Sequence, residues 1–145
     1  MARRGPSTSS DPVREFDFWI GRWVVTHPET GELLGRNLIE PIVGGRALHE
    51  HWHGVSGLQG QSLNIFDEQR GQWHQTWVSE TGMLLQLDGG MRDGSMELQG
   101  GDPLQRIRWT PGADGEVLQH WEESTDGGTS WTTLFEGLYR PQSQS

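Results

Sequence analysis

The densest group of chemistry-bearing side chains is His49-Glu50-His51-Trp52-His53. Alternate residues of a strand face opposite sides, so His49, His51 and His53 share one face while Glu50 and Trp52 share the other. Imidazoles at i and i+2, with a third ligand from a neighbouring strand, can hold zinc with one coordination position left open. His74 and His120 are the candidates for that third ligand. No carboxylate is evident as an orienting partner for these imidazoles, and a row of histidines equally suits a solvated outer wall. His120 alone is a candidate axial ligand for haem iron. Glu50, if it lies on the inner face among indoles, acquires a raised pKa and the capacity of a general acid or base. The histidines titrate near neutrality and could take the same role. Which face of residues 46–54 points inward is left open.

A second group is Trp73-x-Gln75-x-Trp77, one strand face opposite His74, Thr76 and Val78. The tryptophan face is the more apolar and is expected to point inward. By the same rule Ile107 and Trp109 point in and Arg106 and Arg108 out, and Val117, Gln119 and Trp121 point in with His120 and Glu122 opposite. An inner wall of Trp52, Trp73, Trp77, Trp109 and Trp121, carrying Gln75, Gln119 and Glu50, has the composition of a small-molecule pocket: apolar, with a few convergent polar groups. The competing outcome is a packed core in which each indole N–H finds a Gln or a backbone carbonyl.

These residues need strands to position them. After Gly21, turn signals recur, among them Glu29-Thr30-Gly31, Gly44-Gly45, Thr81-Gly82 and Asp126-Gly127-Gly128. The runs between them alternate with period two, and no segment keeps a helical period. About ten short strands joined by hairpins follow. Sequential short connections favour an up-and-down order, and closing the sheet removes its exposed edges, so the expected fold is an all-β, ten-stranded antiparallel up-and-down barrel spanning residues 11–140. Asp11 as N-cap and Pro12 at the first helical position predict a short α- or 3₁₀-helix over about 12–19, ending at Gly21. Residues 1–10 and 141–145 read as disordered tails. In S-x-D-x-G-x-S-W (Ser124–Trp131), Asp126 is expected to cap the hairpin turn.

Composition narrows the function. The chain has 145 residues, a formal net charge of −9, no lysine and no cysteine. An acidic surface argues against nucleic acid. The missing lysine excludes a Schiff base and a P-loop, and the missing cysteine excludes thiolate chemistry and disulfides. Arg3-Arg4 is not followed by an apolar stretch, and no window approaches a membrane span, so the expectation is a cytoplasmic protein without a membrane partner.

Gly21-x-Trp23 after an entry helix, with Tyr139-Arg140 at the end of the last strand, resembles the calycin superfamily. FDFWIGRW, W-x-Q-x-W and W-E-x-S-x-D-G-G-x-S-W, in that order, more specifically resemble a bacterial family of uncharacterised lipocalin-like proteins, over most of residues 12–140. The resemblance implies a ten-stranded barrel with an internal pocket and no established reaction. It also implies structural roles for Gly21, for Trp23, and for Arg140 stacked on the Trp23 indole at the base of the barrel.

The function expected from sequence is therefore binding of a small, mostly apolar, aromatic or planar ligand by Glu50, Trp52, Trp73, Gln75, Trp77, Trp109, Gln119 and Trp121, without a cofactor. No nucleophile–base pair is assignable, so binding is favoured over catalysis. One alternative is a metal- or acid/base-dependent enzyme (lyase-, cyclase- or hydrolase-like) using the His49–His53 strand, with zinc on His49, His51 and His53. Another is a packed structural or haem-binding barrel, associating through its outer face as in a homodimer.

Overall fold

A computed structural model describes residues 11–142. The chain forms ten strands: β1 (Gly21–Thr26), β2 (Leu33–Ile42), β3 (Ala47–Gly54), β4 (Gln59–Asp67), β5 (Gln72–Ser79), β6 (Leu84–Arg92), β7 (Ser95–Gly100), β8 (Leu104–Pro111), β9 (Val117–Ser124) and β10 (Thr132–Pro141). Each pairs antiparallel with its sequence neighbours, and β1 pairs with β10, closing an up-and-down barrel. Closure gives every strand two partners and leaves no edge for another chain to template on. Among the described residues no helix is long and apolar enough to cross a membrane.

The predicted entry helix is two separate 3₁₀ turns, Pro12–Arg14 and Asp17–Trp19. Asp11 caps the first, its carboxylate accepting from the Val13 amide at 3.1 Å. Gly21 then opens β1 at φ +144°, a conformation side chains rarely adopt. The two turns lie across one end of the barrel and close it as an aromatic floor. Phe16 stacks on Trp19 at 4.8 Å and meets Trp73 and Trp109 edge-on at 5.5 and 5.0 Å. The Trp73 indole donates to the Pro12 carbonyl (3.2 Å) and the Trp23 indole to the Trp19 carbonyl (2.8 Å). Phe16, Trp19, Trp73 and Trp109 are buried to within about 1% of their surface.

Arg140 does not stack on Trp23. Tyr139 takes the inward position and meets Trp23 edge-on at 5.8 Å, so its neighbour Arg140 must face out, where it pairs with Glu116 at 2.9 Å. The cation over an indole lies elsewhere: Arg106 sits 3.9 Å above Trp131 on the outer wall while pairing with Glu122. Asp126 does organise the β9–β10 hairpin. It accepts from the Thr129 and Ser130 amides and from the Ser124 and Ser130 hydroxyls, and these bonds hold its pKa far below the usual carboxylate range. Pro141 belongs to β10, opposite Trp23, and the Gln142 amide donates to the Arg22 carbonyl, so the ordered wall runs two residues past its expected end. Residues 1–10 and 143–145 lie outside the described part.

The floor rings are almost completely buried, and large-to-small changes there leave cavities. Trp73→Ala should cost about 3–5 kcal/mol of unfolding free energy in urea titrations, and Trp73→Phe clearly less. A loss below about 1 kcal/mol would mean the floor is not a cooperative part of the core.

Candidate functional site

Odd-numbered strands leave the floor and even-numbered strands return to it. Height along the barrel therefore follows from position within a strand. Trp73 is the second residue of β5 and Trp109 the third from the end of β8, so both lie low. Trp77 and Trp52 stand near the far ends of β5 and β3. There the barrel is open. A cavity of about 330 Å³ is walled by Trp52, Trp77, Trp121, Leu85, Ile107 and Phe135, with Glu50, Gln75, Gln119 and Tyr139 among its lining. Leu58, Thr81, Met83 and Leu134 surround its mouth, on or beside the hairpins at that end.

Six of the eight residues expected in the pocket thus line this cavity: Glu50, Trp52, Gln75, Trp77, Gln119 and Trp121. Trp73 and Trp109 do not. They point inward as the alternation requires, but the 3₁₀ turns cover them. Period two gives the face of a residue, not its height.

Residues 46–54 are settled by the same geometry. Glu50 is buried and Trp52 faces the cavity, while His49, His51 and His53 lie outside. His120 also faces out, bonded to Thr133 at 2.9 Å, and His74 pairs outside with Asp88 and Thr76. No imidazole is therefore turned toward a ligand in the cavity, whether zinc, haem or substrate, among the described residues. His53 also stands apart from the potential metal ligands. The residues whose donor atoms come together, within 4.8 Å, are His49, His51 and Glu40.

Two indoles shape the mouth because the strands beside them carry glycine. A Cβ on Gly60 would come within 2.3 Å of the Trp77 ring, and one on Gly35 within 2.7 Å of the Trp52 ring. The rings come up against bare backbone, a close approach that only glycine permits. Trp121 is fixed by donating to Gln105 at 2.7 Å.

Glu50 is the chemical centre of the wall. Its Oε1 accepts from the Ser62 hydroxyl (2.6 Å) and its Oε2 from the Asn37 amide (2.8 Å). Asn64 donates to Ser62, and Gln75 donates to Asn64, so a chain of donors from β5 through β4 ends on the carboxyl group. Asn37 also donates to the Tyr139 hydroxyl at 2.9 Å, which leaves the Tyr139 proton free for another acceptor. Burial raises the Glu50 pKa, opposed by the bonds from Ser62 and Asn37. Burial, and then the Glu50 charge, push Tyr139 well above its usual value. Within this lining Gln119 Oε1 and Trp77 Nε1 are buried without a partner among the described residues.

Sequence reasoning missed Asn37, Ser62, Asn64 and Tyr139. β4 held the signal. In Ser62-Leu63-Asn64-Ile65 the apolar residues Leu63 and Ile65 are exposed and the polar ones buried, the reverse of the usual pattern. The inversion follows from Glu50, since a buried carboxyl group requires polar partners on the facing strand.

A scan against protein-family models matched none, and a search of curated proteins gave no match.

Protonation of Glu50 is linked to stability. Its folded pKa is raised, so the native state holds a proton that the unfolded chain releases above its ordinary value of 4.5. The stabilisation is complete below that pH and is lost as pH rises through the folded pKa. Glu50→Gln, a neutral isostere, should remove this decline from unfolding free energies measured between pH 4 and 8. An unchanged slope in the variant would mean that Glu50 does not carry the linkage.

Proposed function

We propose that the barrel binds a small, mostly apolar, planar or aromatic molecule in its open half. What carries this reading is the contrast between the two halves. The floor fills its end with interlocked rings, whereas three indoles at the other end surround about 330 Å³ of space. That volume is at the lower end of small-molecule pockets, which run from about 300 Å³. Indole walls favour flat apolar surface, which stacks offset or edge-on.

The polar groups specify the rest of the ligand. The unpartnered Gln119 carbonyl calls for a donor, and the Tyr139 hydroxyl still has a proton to give. Leaving such groups unpaired on binding is costly, so a ligand that meets them is selected over one that does not. A planar molecule with a neutral hydroxyl or amino group suits this end. A carboxylate would face the Glu50 carboxyl group and is disfavoured whenever that group is ionised. The similarity to lipocalin-like barrels and the cytoplasmic placement belong to this proposal, as does a role without a cofactor.

A second reading, acid–base catalysis on such a ligand, draws on one observation: Glu50 is a buried carboxyl group at the cavity wall with a raised pKa. The three histidines that share β3 with Glu50 have no part in it, because their imidazoles face outward.

Calorimetric titration of planar aromatic alcohols and amines, beside matched carboxylates, tests binding. The neutral compounds should bind more tightly, and Trp77→Ala should weaken them at least roughly tenfold, within the range of aromatic anchors. Trp73→Phe, in the floor, should leave the affinity unchanged. Equal affinity in Trp77→Ala, or no binding across the panel, would count against the cavity as a site. Glu50→Gln separates the readings: a binding protein keeps its ligand, whereas a catalyst keeps it and loses turnover.

A further inference from the structure

Outside the barrel, three neighbouring strands bring nitrogen and oxygen donors to one point. His49 and His51 project from β3 two residues apart, with ring centroids 3.9 Å apart. Glu40 projects from β2, opposite His49 in the register, and its Oε2 lies 2.9 Å from His51 Nε2. Gln61 on β4 places its carbonyl oxygen 2.8 Å from His49 Nε2. The potential ligand atoms of Glu40, His49 and His51 all lie within 4.8 Å of one another.

We propose that Glu40, His49 and His51 form a binding site for a divalent transition-metal ion such as zinc. Two imidazoles and a carboxylate form a common three-ligand set for zinc, with the fourth tetrahedral position left to water. Zinc–ligand bonds near 2.0–2.1 Å put two ligands on one ion about 3.3 Å apart, so the Glu40–His51 pair is already close to the spacing required. The remaining approach needs only side-chain rotation, because paired strands hold all three Cα positions. The chain's net charge of −9 favours cations generally. Copper(II) would bind the same donors at least as tightly. The Gln61 carbonyl oxygen, 2.8 Å from His49 Nε2, is placed to accept the N–H of that imidazole and orient it.

The site stands on the opposite side of the wall from the cavity and does not depend on what the cavity binds. Calorimetric titration of the full chain with zinc chloride, alongside thermal melts in metal-free and zinc-containing buffer, tests it. One equivalent should bind and should raise the melting temperature, as any native-state ligand does. His51→Ala and Glu40→Gln should each weaken binding at least about tenfold and abolish the thermal shift, while His53→Ala should change neither. Metal-free melts matching the parent establish that the variants are folded. Absence of saturable binding, equal binding in His51→Ala or Glu40→Gln, or a loss in His53→Ala as large as in His51→Ala would each overturn the assignment.

Discussion

The short ladder between β1 and β10, in which Trp23, Val24, Val25 and Thr26 face Pro141, Arg140, Tyr139 and Leu138, makes an enclosure out of what would otherwise be an open meander. It joins the two ends of the chain, so it carries the largest loop-closure cost of any pairing in the fold. Side chains on its inner face help to offset that cost. Val25 and Tyr139 are buried, and Trp23 packs edge-on against Tyr139 while donating to the chain just before β1. The 3₁₀ turns that follow Asp11 thus serve closure twice, by covering the floor and by receiving the first strand's indole.

Closure also positions the polar core of the site. Tyr139 on β10 reaches Asn37 on β2 across β1, and Asn37 in turn reaches Glu50 on β3. A buried carboxyl group is tolerable here because its oxygens are met from both sides, by Asn37 and by Ser62. An open sheet would lose Tyr139 from this group. The network and the barrel are therefore mutually dependent, although the residues involved span more than a hundred positions of sequence.

The strand count, their order and the inward faces of β5, β8 and β9 were legible in turn residues and alternation, because both are local. What local patterns do not encode is height along the barrel, and so alternation groups Trp73 and Trp109 with the pocket although they belong to the floor. Only the meander's alternating direction, combined with the location of the entry turns, distinguishes Trp73 from Trp77. Arg140 failed for another reason: adjacent residues Tyr139 and Arg140 cannot both face in, and the tyrosine is the less costly to bury. Glu40 was invisible beside the histidines because it comes from another strand. The Glu50 partners were hidden by a strand whose apolar residues face solvent.

Trp52 and Trp77 lie against Gly35 and Gly60, and this arrangement separates the residues that line the cavity from those that determine how much room it has. A methyl group on either glycine cannot be accommodated where the indole now lies, so the ring would swing into the lumen or the strands would part. Capacity is thereby written in two backbone positions with no side chain of their own. Within such a scaffold, the volume of the cavity changes through substitutions that a comparison of lining residues alone would never register.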